Sequence, residues 1–89
     1  MFDYRRKLKE LNRICKKTED ARKKLQSQCE NEMLKLHNEE LKEVSFTNDS
    51  EEIKMIHQKY AEKIKDCIEK YVMKDQELSE EFSRSLKSI

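Results

Sequence analysis

The sequence predicts an all-α fold: two long helices with a polar break near residues 45–50, assembled as an antiparallel coiled-coil dimer with eleven-residue repeats. Three observations predict it. Apolar residues recur at a spacing of eleven almost from end to end. The chain has no Gly and no Pro to interrupt a helix. Turn-prone residues gather in one place, Ser45-Phe46-Thr47-Asn48-Asp49-Ser50.

The repeat is dense. Ile14, Leu25 and Leu36 form one row, Met33 and Val44 another, and Ile53 and Ile64 a third. Ile56, Cys67, Leu78 and Ile89 make a full row beside Tyr60, Tyr71 and Phe82. Within a repeat the steps are threes and fours, which keep side chains on one helix face. Eleven residues over three turns is about 3.67 per turn, so the stripe stays nearly parallel to the axis with a weak right-handed drift. Such a stripe must lie against another helix. The candidate interface is therefore Leu11, Ile14, Leu25, Cys29, Met33, Leu36, Ile53, Ile56, Tyr60, Ile64, Cys67, Tyr71, Leu78 and Phe82.

Composition agrees. Charged residues are 44% and apolar ones 35%, too polar for a self-contained globular core. A domain of this size buries only about 60% of its unfolded surface even when compact. Disorder is the competing reading of so charged a chain, but the ordered period and the helix-forming Lys, Glu, Leu and Gln oppose it.

The first helix is expected over about 2–44 and the second over about 51–87, together one association segment spanning 1–89. At 1.5 Å per residue they are about 65 and 55 Å long, and neither is stable alone in water without packing. Asn48 with Glu51, or Asp49 with Glu52, has the spacing of a capping box, and the acids that follow suit the positive end of a helix. Without a Gly the stop signal of the first helix is incomplete, so one continuous bent helix is the alternative to a break. Thr18 and Arg22 intrude on the stripe of the first helix. Met55, Val72 and Met73 broaden that of the second.

Chemistry is hard to build from these residues. There is no Gly for a phosphate loop or an oxyanion turn. His37 and His57 are far apart and read as flank residues. Cys29 and His37, eight apart, are a poor zinc pair. The adjacent acids at 39–40, 51–52 and 80–81 read as solvated faces. No catalytic, cofactor or metal site is expected, and a non-enzymatic chain is. Cys15, Cys29 and Cys67 are an odd count at wide spacing, and no signal peptide or membrane-length apolar run accompanies them. Free thiols in a reducing compartment follow, with Cys on the stripe acting as a small hydrophobe; a regulatory disulfide across a dimer is the alternative.

Charge is laid out unevenly. Residues 1–25 hold ten Lys and Arg against four acids, residues 26–52 two against eight, and residues 53–89 eight against seven. The basic stretch could track phosphates, but its cations point several ways and it lacks stacking platforms. Pairing with acids of a partner helix is the preferred reading. Two first helices laid antiparallel, crossing near 22–29, set cation against acid, whereas a parallel pair stacks like charges. A closed hairpin sets 5–25 beside a neutral 70–89, so charge ranks the antiparallel homodimer ahead of it, although the two can coexist.

The run Lys24-Leu25-Gln26-Ser27-Gln28-Cys29-Glu30-Asn31-Glu32-Met33, followed by His57-Gln58-Lys59-Tyr60, resembles the C-terminal coiled-coil segment of the plant Morpheus' molecule transcriptional silencing proteins. The resemblance covers about residues 20–80. It implies a nuclear protein derived from a chromatin remodeller with a degenerate ATPase. This segment would be its antiparallel dimerisation module and a docking surface for SUMO-ligase-like partners in gene silencing. The alternative is a structural coiled-coil element of a meiotic chromosome axis or another filament.

Overall fold

The computed structural model describes residues 2–89, with side chains from residue 4 onward. It contains two helices, α1 (Phe2–Val44, 43 residues) and α2 (Ser50–Lys87, 38 residues). They fold back on each other along their whole length as an antiparallel hairpin measuring 73 × 16 × 9 Å. The all-α, two-helix architecture is the one that the repeat predicts. The helix covering the stripe of α1 is the chain's own α2.

The reversal needs no glycine. At the end of α1 the Ser45 hydroxyl donates to the Lys42 carbonyl at 2.6 Å, and the amides of Ser45, Phe46 and Thr47 donate to the carbonyls of Leu41, Glu43 and Val44. Those bonds satisfy carbonyls that a helix end otherwise leaves open. No described residue takes a positive φ. The N-cap of α2 is Asp49, whose carboxylate accepts from the Glu51 amide at 3.0 Å. The expected return bond of a capping box is missing. Glu52 instead accepts from the Thr47 hydroxyl at 2.9 Å, and that same hydroxyl accepts from the Asp49 amide. Thr47 thus takes the place that the pattern gives to an acid, because the turn folds it over the first turn of α2.

The hairpin closes although summed charge gives residues 5–25 no preference for 70–89. The sum over 70–89 is neutral because cations and acids alternate there. What counts at the seam is the individual side chain. Lys70 meets Glu32 at 2.9 Å, Asp75 meets Arg22 at 3.3 Å, and Lys59 meets Glu43 at 2.7 Å. Neutral sums hide complementary neighbours, and burial of the stripe supplies the driving force.

Candidate interaction surface

Helical periodicity divides the hairpin into a seam and two long faces. None of the fourteen residues of the sequence-derived interface is among the exposed ones once the hairpin closes at its seam. Ile14, Tyr60, Cys67 and Tyr71 are buried there. Leu11, Leu25, Cys29, Met33, Leu36, Ile53, Ile56, Ile64, Leu78 and Phe82 are partly covered. Near the open end Ile14 packs among Thr18, Ala21, Leu78 and Phe82. Thr18 is therefore accommodated in the seam. Arg22 lies along its edge, bound to Asp75 and donating to the Ser79 hydroxyl at 2.6 Å.

The polar shell repeats with the core. Tyr60 and Tyr71 are eleven apart, as are Lys59 and Lys70, Lys63 and Lys74, and the acceptors Glu43 and Glu32. Each tyrosine ring is flanked by two ammonium groups at 4.9–5.1 Å. Cations at that range interact favourably with the ring face, and their methylenes cover it. The lysine preceding each tyrosine also reaches across to the glutamate of α1. One unit, Lys-Tyr-x-x-Lys on α2 against Glu on α1, therefore occurs twice. A third turn of the repeat would use Phe82, but Glu81 and Ala21 stand where Lys and Glu would be, and the unit ends. The aromatic row is legible in the sequence; the lysines and glutamates that travel with it carry the same spacing and belong to the same signal.

These pairs shift proton affinities. Hydrogen bonds from Lys70 and then Cys67 hold the Glu32 carboxyl below its ordinary 4.5, and Lys59 does the same for Glu43. Glu43 and Glu32 in turn raise Lys59 and Lys70 above 10.5. Burial first, and Glu43 or Glu32 second, raise Tyr60 and Tyr71 above 10.0. Burial, and then the Glu32 carboxylate 3.2 Å away, push the Cys67 thiol from 9.0 to about 11. The glutamate contribution to stability is complete above the unfolded value and fades as pH falls through the lower folded values. The lysine, tyrosine and thiol contributions are complete below their unfolded values and fade as pH rises through the raised ones. Solvent screens these pairs, so the acid limb is shallow. The thermal midpoint by circular dichroism should be flat from about pH 5.5 to 8.5, decline gently below about 4.5 and drop more steeply above about 9.5. A midpoint unchanged at about pH 11 would exclude this picture.

The two faces differ. One carries a groove lined by Glu32, Lys35, Glu39, Lys63, Asp66 and Lys70, with Leu36 and Cys67 beneath. The other carries a groove at mid-length between Leu25 and Cys29 of α1 and Ile68, Tyr71 and Val72 of α2. Ile68 is 43% exposed and Val72 50%. Val72, which by its apolar character widens the stripe in the sequence, lies beside the seam on this open face. Met55 and Met73, expected to do the same, point away from α1 and are also exposed. Cys15 is exposed, so of the three thiols Cys67 alone is buried, with Cys29 half-covered against Met33 at 3.9 Å. Ile68, Leu34 and Leu41 were not singled out by the repeat, and all three are exposed.

Among the described residues no group of three His, Cys, Asp or Glu side chains is placed to hold a metal ion, and no helix is long and apolar enough to cross a membrane. His57 pairs with Glu40 at 3.0 Å across the seam, and His37 is exposed. No family model, curated protein or solved structure matches the chain.

Proposed function

We propose that this chain is a non-enzymatic association module: a helical hairpin that forms an antiparallel homodimer and serves as a protein–protein scaffold. The observation that supports it is the large apolar surface left outside the seam. Leu34, Leu41, Ile68 and Val72 are each at least 43% exposed after the hairpin has closed. Ile68 and Val72 share one groove with Leu25 and Cys29, and apolar surface of that kind left open on a small chain marks contact with another protein. In the reading that the Lys24–Met33 run supports, the module belongs to a nuclear transcriptional gene silencing protein of the Morpheus' molecule kind and offers a surface to SUMO-ligase-like partners. Nucleic acid and membrane are not part of it.

A second reading has its own support. Phe46 stands 79% exposed at the turn, while Tyr4, Leu8, Leu11, Leu86 and Ile89 gather at the open end. Apolar groups at opposite ends suit head-to-tail stacking, which does not close and so grows into filaments. That is the behaviour of a chromosome-axis element. Molar mass measured by light scattering over a concentration series separates the two. The dimer reading expects a plateau at twice the chain mass of 10.8 kDa. Mass that climbs without a plateau selects the filament, and a mass fixed at one chain throughout removes both.

A further inference from the structure

The groove at mid-length sits where a two-fold axis must pass if two hairpins are to overlap completely. Its residues run over 22–29 of α1 and 68–76 of α2, midway between the open end and the turn. The hairpin also sorts charge along its length. Its open half, residues 1–25 and 70–89, holds fourteen cations and eight acids, and its closed half, residues 26–69, six cations and eleven acids. Folding thus converts the uneven sequence into a rod positive at one end and negative at the other. Side by side, such rods favour the antiparallel arrangement and resist the parallel one.

We infer that the groove lined by Leu25, Cys29, Ile68 and Val72 is the centre of a face-to-face contact with a second copy of this chain. The inference rests on the homodimer reading above and adds to it the face, the axis and the pairing. The two-fold axis lies in the contact plane and crosses both helices near Gln26 and Val72. That operation lays α1 on the partner's α1 and α2 on the partner's α2, each pair antiparallel, and gives four helices around a second apolar seam. The positive open half of each hairpin then covers the negative closed half of the other. Such a contact is isologous, so it closes on itself and stops at two copies.

Size and chemistry agree with this choice of face. A face 73 Å by 16 Å offers roughly 1,200 Å², more than the about 800 Å² per partner of a standard stable interface. The opposite face is crossed by Glu32–Lys70 and Glu43–Lys59 and carpeted by the lysines that flank Tyr60 and Tyr71. Desolvating those ions would cost more than their mutual attraction returns. The groove side presents Leu25, Cys29, Ile68 and Val72 at its centre and Gln26 and Gln76 at its rim, and its lining carries a single ion pair, Arg22–Asp75, and no lysine.

Sedimentation velocity on the full chain tests the assignment with Val72→Asp and Met73→Asp. Both positions are at least half exposed, so the hairpin tolerates either change, and helicity measured alongside verifies it. Val72→Asp brings two carboxylates together at the axis and should raise the dimer dissociation constant by about 100-fold or more. Met73→Asp, about 100° around the same helix, should change it by less than about threefold. Should Val72→Asp disturb folding, the double change Gln26→Arg with Gln76→Arg sets four like charges at the rim without touching the seam, and it too should dissociate the dimer. A wild-type dimer that ignores both groove variants but is broken by Met73→Asp overturns the face while leaving the homodimer standing. A wild-type chain that stays monomeric overturns the homodimer itself.

Discussion

Replacing Cys67 by Asp should lower the thermal midpoint of the hairpin by about 15 °C or more, close to complete unfolding for a chain of this size. Cys67 is 7% exposed and its thiol donates to Glu32, whose carboxylate is already bound to Lys70. A carboxylate at that position would be buried, would have lost its donor role and would face a like charge. Burying an unpaired carboxylate costs about 3 kcal/mol or more. Cys67→Ala removes one sulfur and leaves no charge, so it should lose far less. Ile64→Asp, one turn earlier on the same stripe, and Leu25→Asp on the facing helix should behave like Cys67→Asp and abolish association along with the fold. Melting curves by circular dichroism read all four. An Ile64→Asp or Cys67→Asp chain that melts with the wild type would remove these residues from the seam.

The fold was legible because its signals are local and repeated. Tyr60, Tyr71 and Phe82 at a spacing of eleven declare a helix and the face it buries. The polar run from Ser45 to Ser50 declares where the chain reverses, since no other stretch offers short side chains to bind backbone. The packing of α1 on the chain's own second helix is not legible from summed charge. It depends on which lysine meets which glutamate, and Glu32–Lys70 and Arg22–Asp75 are visible only once the turn fixes the register. The uncovered groove was partly legible. Val72 stood out as apolar, but periodicity alone could not say whether it widened the seam or flanked it. Ile68 does not stand out in the sequence because Cys67, one residue earlier, already fills that place in the eleven-residue row, which leaves Ile68 about 100° round on the shoulder of the stripe. Its exposure became meaningful only when the closed hairpin left it outside.

The groove at mid-length and the charge sorting lead to one further expected result, which concerns orientation. In the proposed antiparallel dimer the two copies of Gln26 would lie almost on the axis, whereas the two copies of Cys15 would lie on opposite sides of it. Eleven residues separate those positions, so the partners at 15 are offset by roughly 30 Å along the rod while those at 26 are offset by almost nothing. A disulfide needs Cα atoms within about 7 Å. In chains carrying a single cysteine, mild oxidation should therefore give efficient cross-linking for Gln26→Cys and little for Cys29, which is half-covered and whose two copies are offset by about 9 Å. Cys15 is the most exposed of the three natural thiols, so accessibility alone would make it the most reactive. Its expected failure to link is thus a statement about geometry. Raising the salt should slow the Gln26→Cys reaction, because the attraction between positive and negative halves is screened beyond about 8 Å at physiological ionic strength. Non-reducing gels of the three chains decide it. Linkage through Cys15 as efficient as that through position 26 would mean that the hairpins associate in parallel and that their opposed charges do not set the pairing.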